Sequence, residues 1–77
     1  MNAKRRGKLK YAASLLDKAG IIINECKDEE SDCMVNIEGT SLENTDMYLK
    51  MANACECLEY AFEDIESVRN NIYEAMC

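Results

Sequence analysis

The chain contains no proline, and its apolar residues recur at helical spacing along two stretches separated by one corner around Gly39. Without proline, nothing removes a backbone donor or kinks a helix, so nearly the whole chain is free to run as helix. In the first stretch Leu9, Leu16, Ile23 and Ile37 recur at multiples of seven, interleaved with Ala12, Ala19, Cys26 and Cys33. Leu15 and Ile22 widen this stripe on one flank, Ala13 and Met34 on the other. In the second stretch Met51, Leu58, Ile65 and Ile72 keep the same period, each followed three residues later by Ala54, Ala61, Val68 or Ala75. Cys55, Phe62 and Met76 extend that face. Apolar stripes of this width and period mark amphipathic helices.

The reading is therefore all-α: an antiparallel, coiled-coil-like two-helix hairpin in one domain over residues 1–77. The spacing predicts a helix over about 4–36, a corner over about 37–44 and a helix over about 45–75. Gly39 and Asn44 tolerate the positive φ of a helix terminator. Thr40 with Glu43 fits a capping box, Thr45 fits an N-cap, and Asp46 suits the positive end of the second helix. Leu42 is expected to tuck under the corner. Aligning positions whose numbers sum to about 85 sets Ile23 against Phe62, Ala19 against Ile65, Ala12 against Ile72 and Leu9 against Met76. The same register predicts an ion pair between Arg69 and Asp17. Glu30 sits on the stripe and is expected to loosen the packing locally.

Two helices cover only one side of each stripe, so Leu15, Ile22, Ala54, Ala61 and Val68 are expected to stay partly wet in a monomer. A four-helix bundle, made by a homodimer or by docking on a partner helix, relieves that exposure; the alternative is a monomeric hairpin that tolerates it.

Charge is divided sharply. Met1 to Lys10 hold Lys4, Arg5, Arg6, Lys8 and Lys10 and no acid; the remaining residues carry all fifteen acids against Lys18, Lys27, Lys50 and Arg69. A +5 tip thus sits on a −11 body, giving the net −6. Exposed Tyr11 follows the tip, and an antiparallel fold returns Tyr73 beside it. Lys4, Arg5, Arg6, Lys8, Lys10, Tyr11 and Tyr73 are the candidate partner-binding residues, because arginine and tyrosine anchor protein interfaces. Basic groups with a stacking ring also suit single-stranded nucleic acid, the alternative partner. Glu56, Glu59, Glu63, Asp64, Glu66 and Glu74 form an acidic strip, read first as solvated surface and second as a mimic of a nucleic-acid backbone.

Enzyme chemistry finds no support. Histidine is absent, and no serine–histidine–aspartate set or glycine-rich phosphate loop occurs. No catalytic residue, metal or cofactor is expected. Cys55 and Cys57 project about 200° apart on a helix and cannot share one ion. Cys26, Cys33 and Cys55 fall on the stripes, where thiols are expected to pack as small hydrophobes. The basic start with Leu9 to Leu16 is interrupted as a signal sequence by Asp17 and Lys18. Ile21-Ile22-Ile23 is far shorter than the roughly 20 residues needed to span a bilayer. A cytoplasmic protein with reduced thiols is expected.

Several stretches carry a resemblance: Lys4-Arg5-Arg6, Leu15-Leu16-Asp17-Lys18-Ala19, Lys27-Asp28-Glu29-Glu30, Asn36-Ile37-Glu38-Gly39 and Thr45-Asp46-Met47-Tyr48-Leu49-Lys50-Met51. Together they resemble small, mostly uncharacterised helical-hairpin proteins of Firmicutes phages and mobile elements. Those proteins often have a proline in the corner, from which Glu38 and Gly39 depart. The resemblance implies a hairpin and a mobile-element setting, and carries over no functional residue. Its implication for function is a non-enzymatic inhibitor or adaptor that binds a bacterial host protein, by association with phage proteins of this size.

Overall fold

A computed structural model describes residues 1–41, 43 and 45–77. Helix α1 runs over Ala3–Ile37 and helix α2 over Asp46–Met76, packed against each other. They form a rod with extents of 59 × 14 × 14 Å. The expected antiparallel hairpin is the observed fold.

The helix ends explain the bounds. Asn2, unremarked in the sequence, is the N-cap of α1: its side chain accepts from the Arg5 N–H at 2.8 Å. This gives an acceptor to one of the donors that a helix start leaves unpaired. Thr45 caps α2 as expected, accepting from the Tyr48 N–H, with Asp46 in the first turn. Gly39 holds φ at +79°, the left-handed conformation that suits glycine at a helix exit. The Glu43 carboxylate accepts from the Gly39 N–H at 2.9 Å, one residue upstream of the Thr40 donor that the capping box implied. Thr40 donates its hydroxyl to the Ile37 carbonyl instead. Tyr48 then ties the corner by donating to Glu38 at 3.1 Å. The expectations for Leu42 and Asn44 lie outside the described residues.

The register is confirmed by Arg69, whose Nη1 donates to Asp17 Oδ1 at 2.7 Å. The seam itself is rotated from the expected stripe. Ala13 is fully buried and Gly20 is the other buried residue, whereas Ala12 and Ala19 are only half-buried. A Cβ placed on Gly20 would lie 3.6 Å from the Phe62 ring and 3.9 Å from Ile65. Small residues at 13 and 20 let the axes approach, so Gly20 takes the place opposite Ile65 assigned to Ala19. The seam runs through Leu9, Ala13, Leu16, Gly20 and Ile23 on α1 and through Leu58, Phe62, Ile65, Ile72 and Met76 on α2.

That rotation corrects the reading of the thiols. Cys26 and Cys33 are exposed, and only Cys55 is half-buried. Burial pushes the Cys55 thiol up, reinforced by Glu30 and opposed by Lys27. Leu15, Ile22 and Val68 are exposed at 46%, 60% and 47%, as expected of a lone hairpin, while Ala54 and Ala61 are half-buried.

Candidate functional site

The rod has two unlike flanks. On one, Leu16, Asp17, Gly20, Ile21, Phe62, Ile65, Glu66 and Arg69 line a cleft of about 260 Å³. Arg69 spans it with a single hydrogen bond to Asp17, which leaves the buried Nε–H without an acceptor among the described residues. Asp17 holds the Arg69 guanidinium above its usual range, by hydrogen bonding first and by charge second. The pair is nonetheless part-exposed and bonded at one point, a geometry in which solvent screens most of the attraction.

The other flank is apolar. Helical periodicity places Ala12, Leu15, Ala19, Ile22, Cys26 and Cys33 of α1 on the side of the seam away from Asp17. It places Ala54, Ala61, Val68 and Ala75 of α2 on the side away from Glu66. The two sets adjoin, so one long face of the rod carries no charge between residue 12 and residue 26 of α1.

Lys4, Arg5, Arg6, Lys8 and Lys10 are all exposed on the first turns of α1, and Tyr11 and Tyr73 are exposed at 67% and 47%. The antiparallel fold does bring the end of α2 back to the tip: Arg6 Nε donates to the Met76 carbonyl at 3.3 Å. One basic side chain thereby satisfies a terminal carbonyl of α2, at the negative end of that helix. The remaining basic groups ring α1 rather than cluster. Tyr11 lies on the back of α1 and Tyr73 on the Asp17 flank, so the two rings do not share a face.

The basic tip violates a local rule. Cations are disfavoured at a helix N-terminus, and α1 has no acid in its first turn and no base in its last. Four of its six acids, Asp28, Glu29, Glu30 and Asp32, lie instead in its last third, towards the negative end. Sequence reasoning found the basic tip but missed this opposition to the helix's own dipole, which the residue order alone could have revealed.

The strip Glu56, Glu59, Glu63, Asp64, Glu66 and Glu74 is exposed throughout. Tyr60 donates to Glu56 at 3.0 Å, which raises the phenol above its usual pKa. Among the described residues no three histidine, cysteine, aspartate or glutamate side chains converge on a metal-sized site, and no helix is long and apolar enough to cross a membrane.

No protein-family profile, curated protein or solved structure matches the chain.

Proposed function

We propose that the chain is a small non-enzymatic protein-interaction module that works as a homodimeric four-helix bundle. In the phage or mobile-element setting its sequence resembles, it binds a cytoplasmic host protein of a bacterium as inhibitor or adaptor. One observation carries the reading: among the described residues Ala13 is the only buried apolar side chain in the core, and no large side chain is fully buried. The hairpin exposes 5,696 Å². A compact monomer of 8.7 kDa exposes about 4,700 Å² by the usual size scaling. The excess of about 1,000 Å² is the scale of one side of a standard protein interface. A surface of this kind is made to be covered.

Sedimentation at micromolar concentration tests self-association, and a strict monomer removes the dimer. For the host partner, a pull-down from bacterial lysate is compared between the native chain and Arg5→Glu/Lys8→Glu. Recovery of the same protein by both leaves the basic tip without a role.

The exposed basic groups with Tyr11 support a second reading, an accessory nucleic-acid binder. Titration with single- and double-stranded oligonucleotides at low salt separates the two. Absence of binding there eliminates it, since phosphate contacts are strongest at low salt.

A further inference from the structure

Along the rod, the two ends carry opposite charge. Residues 1–20 and 65–77 make up the terminal half, with seven basic residues and three acidic ones, a net of +4. Residues 21–64 make up the corner half, with two basic and twelve acidic, a net of −10. The hairpin does not relieve this separation. The acids Asp28, Glu29, Glu30 and Asp32 run beside an α2 segment that is itself acidic, and Arg69–Asp17 is the one ion pair among the described residues. α1 also carries its cations at the positive end of its own dipole, with no acid in the first turn to offset them.

We propose that a second copy of the chain docks on the apolar flank through Leu15, Ile22 and Val68, reversed end for end. The proposal rests on the self-association above and adds its surface and direction. Reversal lays the basic terminal half of each copy along the acidic corner half of the other, so the +4 of one offsets part of the −10 of the other at both ends. Docking in the same direction stacks +4 on +4 and −10 on −10, which repels along the whole rod. The cleft flank is excluded because Asp17, Glu66 and Arg69 would lose water there with only one hydrogen bond between them. Full overlap of the apolar flanks sets the two-fold axis beside Ile22, with Ala19, Ala61 and Cys26 packed around it. Small residues at these places allow close helix approach, and Leu15, Ile22 and Val68 supply the buried area.

The test uses the native chain. An equal mixture of unlabelled and isotope-labelled protein is treated with a carbodiimide, which joins a lysine amine to an adjacent carboxylate. Tip and corner stand at opposite ends of a 59 Å rod. A bond from Lys4, Lys8 or Lys10 to Glu29, Asp32 or Glu38 is therefore intermolecular, and mixed-isotope peptides of this kind are expected. A dimer by sedimentation that gives mixed-isotope bonds only within the terminal half, such as Lys10 to Glu74, overturns the reversed arrangement while leaving self-association intact. A strict monomer overturns both. Dimer dissociation is also expected to rise about tenfold or more between about 50 mM and about 500 mM salt, and salt-independent association counts against the charge pairing. Ile22→Glu, at a solvent-exposed site of the hairpin, is expected to weaken the dimer by about a hundredfold with helicity retained. Tyr60→Ala, on the back of α2, leaves association unchanged; an Ile22→Glu variant that dimerises like the native chain removes the flank as the interface.

Discussion

The terminal and corner halves of the hairpin share one fold and one register but are held together differently. In the terminal half, taken with Phe62 at its border, the seam is apolar and close, with Ala13 and Gly20 buried and the Phe62 ring and Ile65 lying over Gly20. In the corner half the seam positions include Lys27 and Glu30, both half-buried, facing the half-buried Cys55. There the half-buried Ile23 and Leu58 continue the seam, and polar contacts at the corner add to it: Tyr48 to Glu38, and Glu43 to the Gly39 N–H. The difference teaches that a continuous heptad does not imply continuous stability. Dispersion and burial act where small residues let the backbones approach, and directional hydrogen bonds supplement them where charged residues occupy seam positions.

Substitutions can break or sharpen this contrast. Phe62→Ala removes the ring that covers Gly20 and should cost about 2 kcal/mol, less than a fully buried phenylalanine because the site is half-open. Urea titration followed by circular dichroism reads it, and a loss below a few tenths of a kcal/mol would refute the terminal seam as the main source of stability. Gly39→Ala forces a side chain into positive φ and should cost about 1 kcal/mol, felt first in amide exchange of the corner. Glu30→Leu should bring the corner seam closer to its terminal counterpart, stabilising by about 1 kcal/mol through added apolar burial. If Glu30→Leu lowers the unfolding midpoint instead, the charge at that position has a partner beyond the hairpin. Gly20→Ala gives a smaller gain, up to about 1 kcal/mol from helix propensity, because the added Cβ meets Phe62 and Ile65 at ordinary contact distances. A bulkier residue there should separate the helices.

The smallest effect is one of pH. Tyr48 is raised above the usual phenol value, first by its hydrogen bond to Glu38 and then by partial burial and acidic neighbours. A raised folded pKa means that its contribution is complete below about pH 10 and is lost as pH climbs through the folded value. Amide exchange at the corner should quicken over that window in the native chain. In Tyr48→Phe that dependence should be absent at the corner, with the Tyr60 contribution to α2 untouched.

Much of this architecture was legible in residue order. Proline-free apolar periodicity gave both helices, Gly39 and Thr45 gave the corner, and the register sum gave Arg69 beside Asp17. Hydrophobicity could not give the seam's rotation. Glycine carries no apolar side chain, so Gly20 was invisible to a stripe drawn through Ala12, Ala19, Cys26 and Cys33, although close approach is what buries it. The Asn2 cap carries no apolar or charge signal beside the basic run that follows it, and the shifted Glu43 contact depends on backbone angles that composition does not specify. Of the candidate site, the exposure of Tyr11 and Tyr73 was foreseen from helical phase. Their separation onto different faces needed the true seam.

The long-range bond from Arg6 to the Met76 carbonyl has a counterpart in time. Contacts that cross the hairpin span ten residues of chain at Tyr48–Glu38 and seventy at Arg6–Met76. The Gly20–Phe62 contact closes a loop of forty-two residues. Closing that loop costs about 1.3 kcal/mol more in chain entropy than closing the corner. Zippering from the corner is thus the fast route but meets its weakest rungs first. The folding barrier should fall where the growing hairpin reaches Phe62, giving Phe62→Ala a high φ-value and variants at Leu9 a low one. A uniformly low φ-value at Phe62 would place the rate-limiting step at the corner instead.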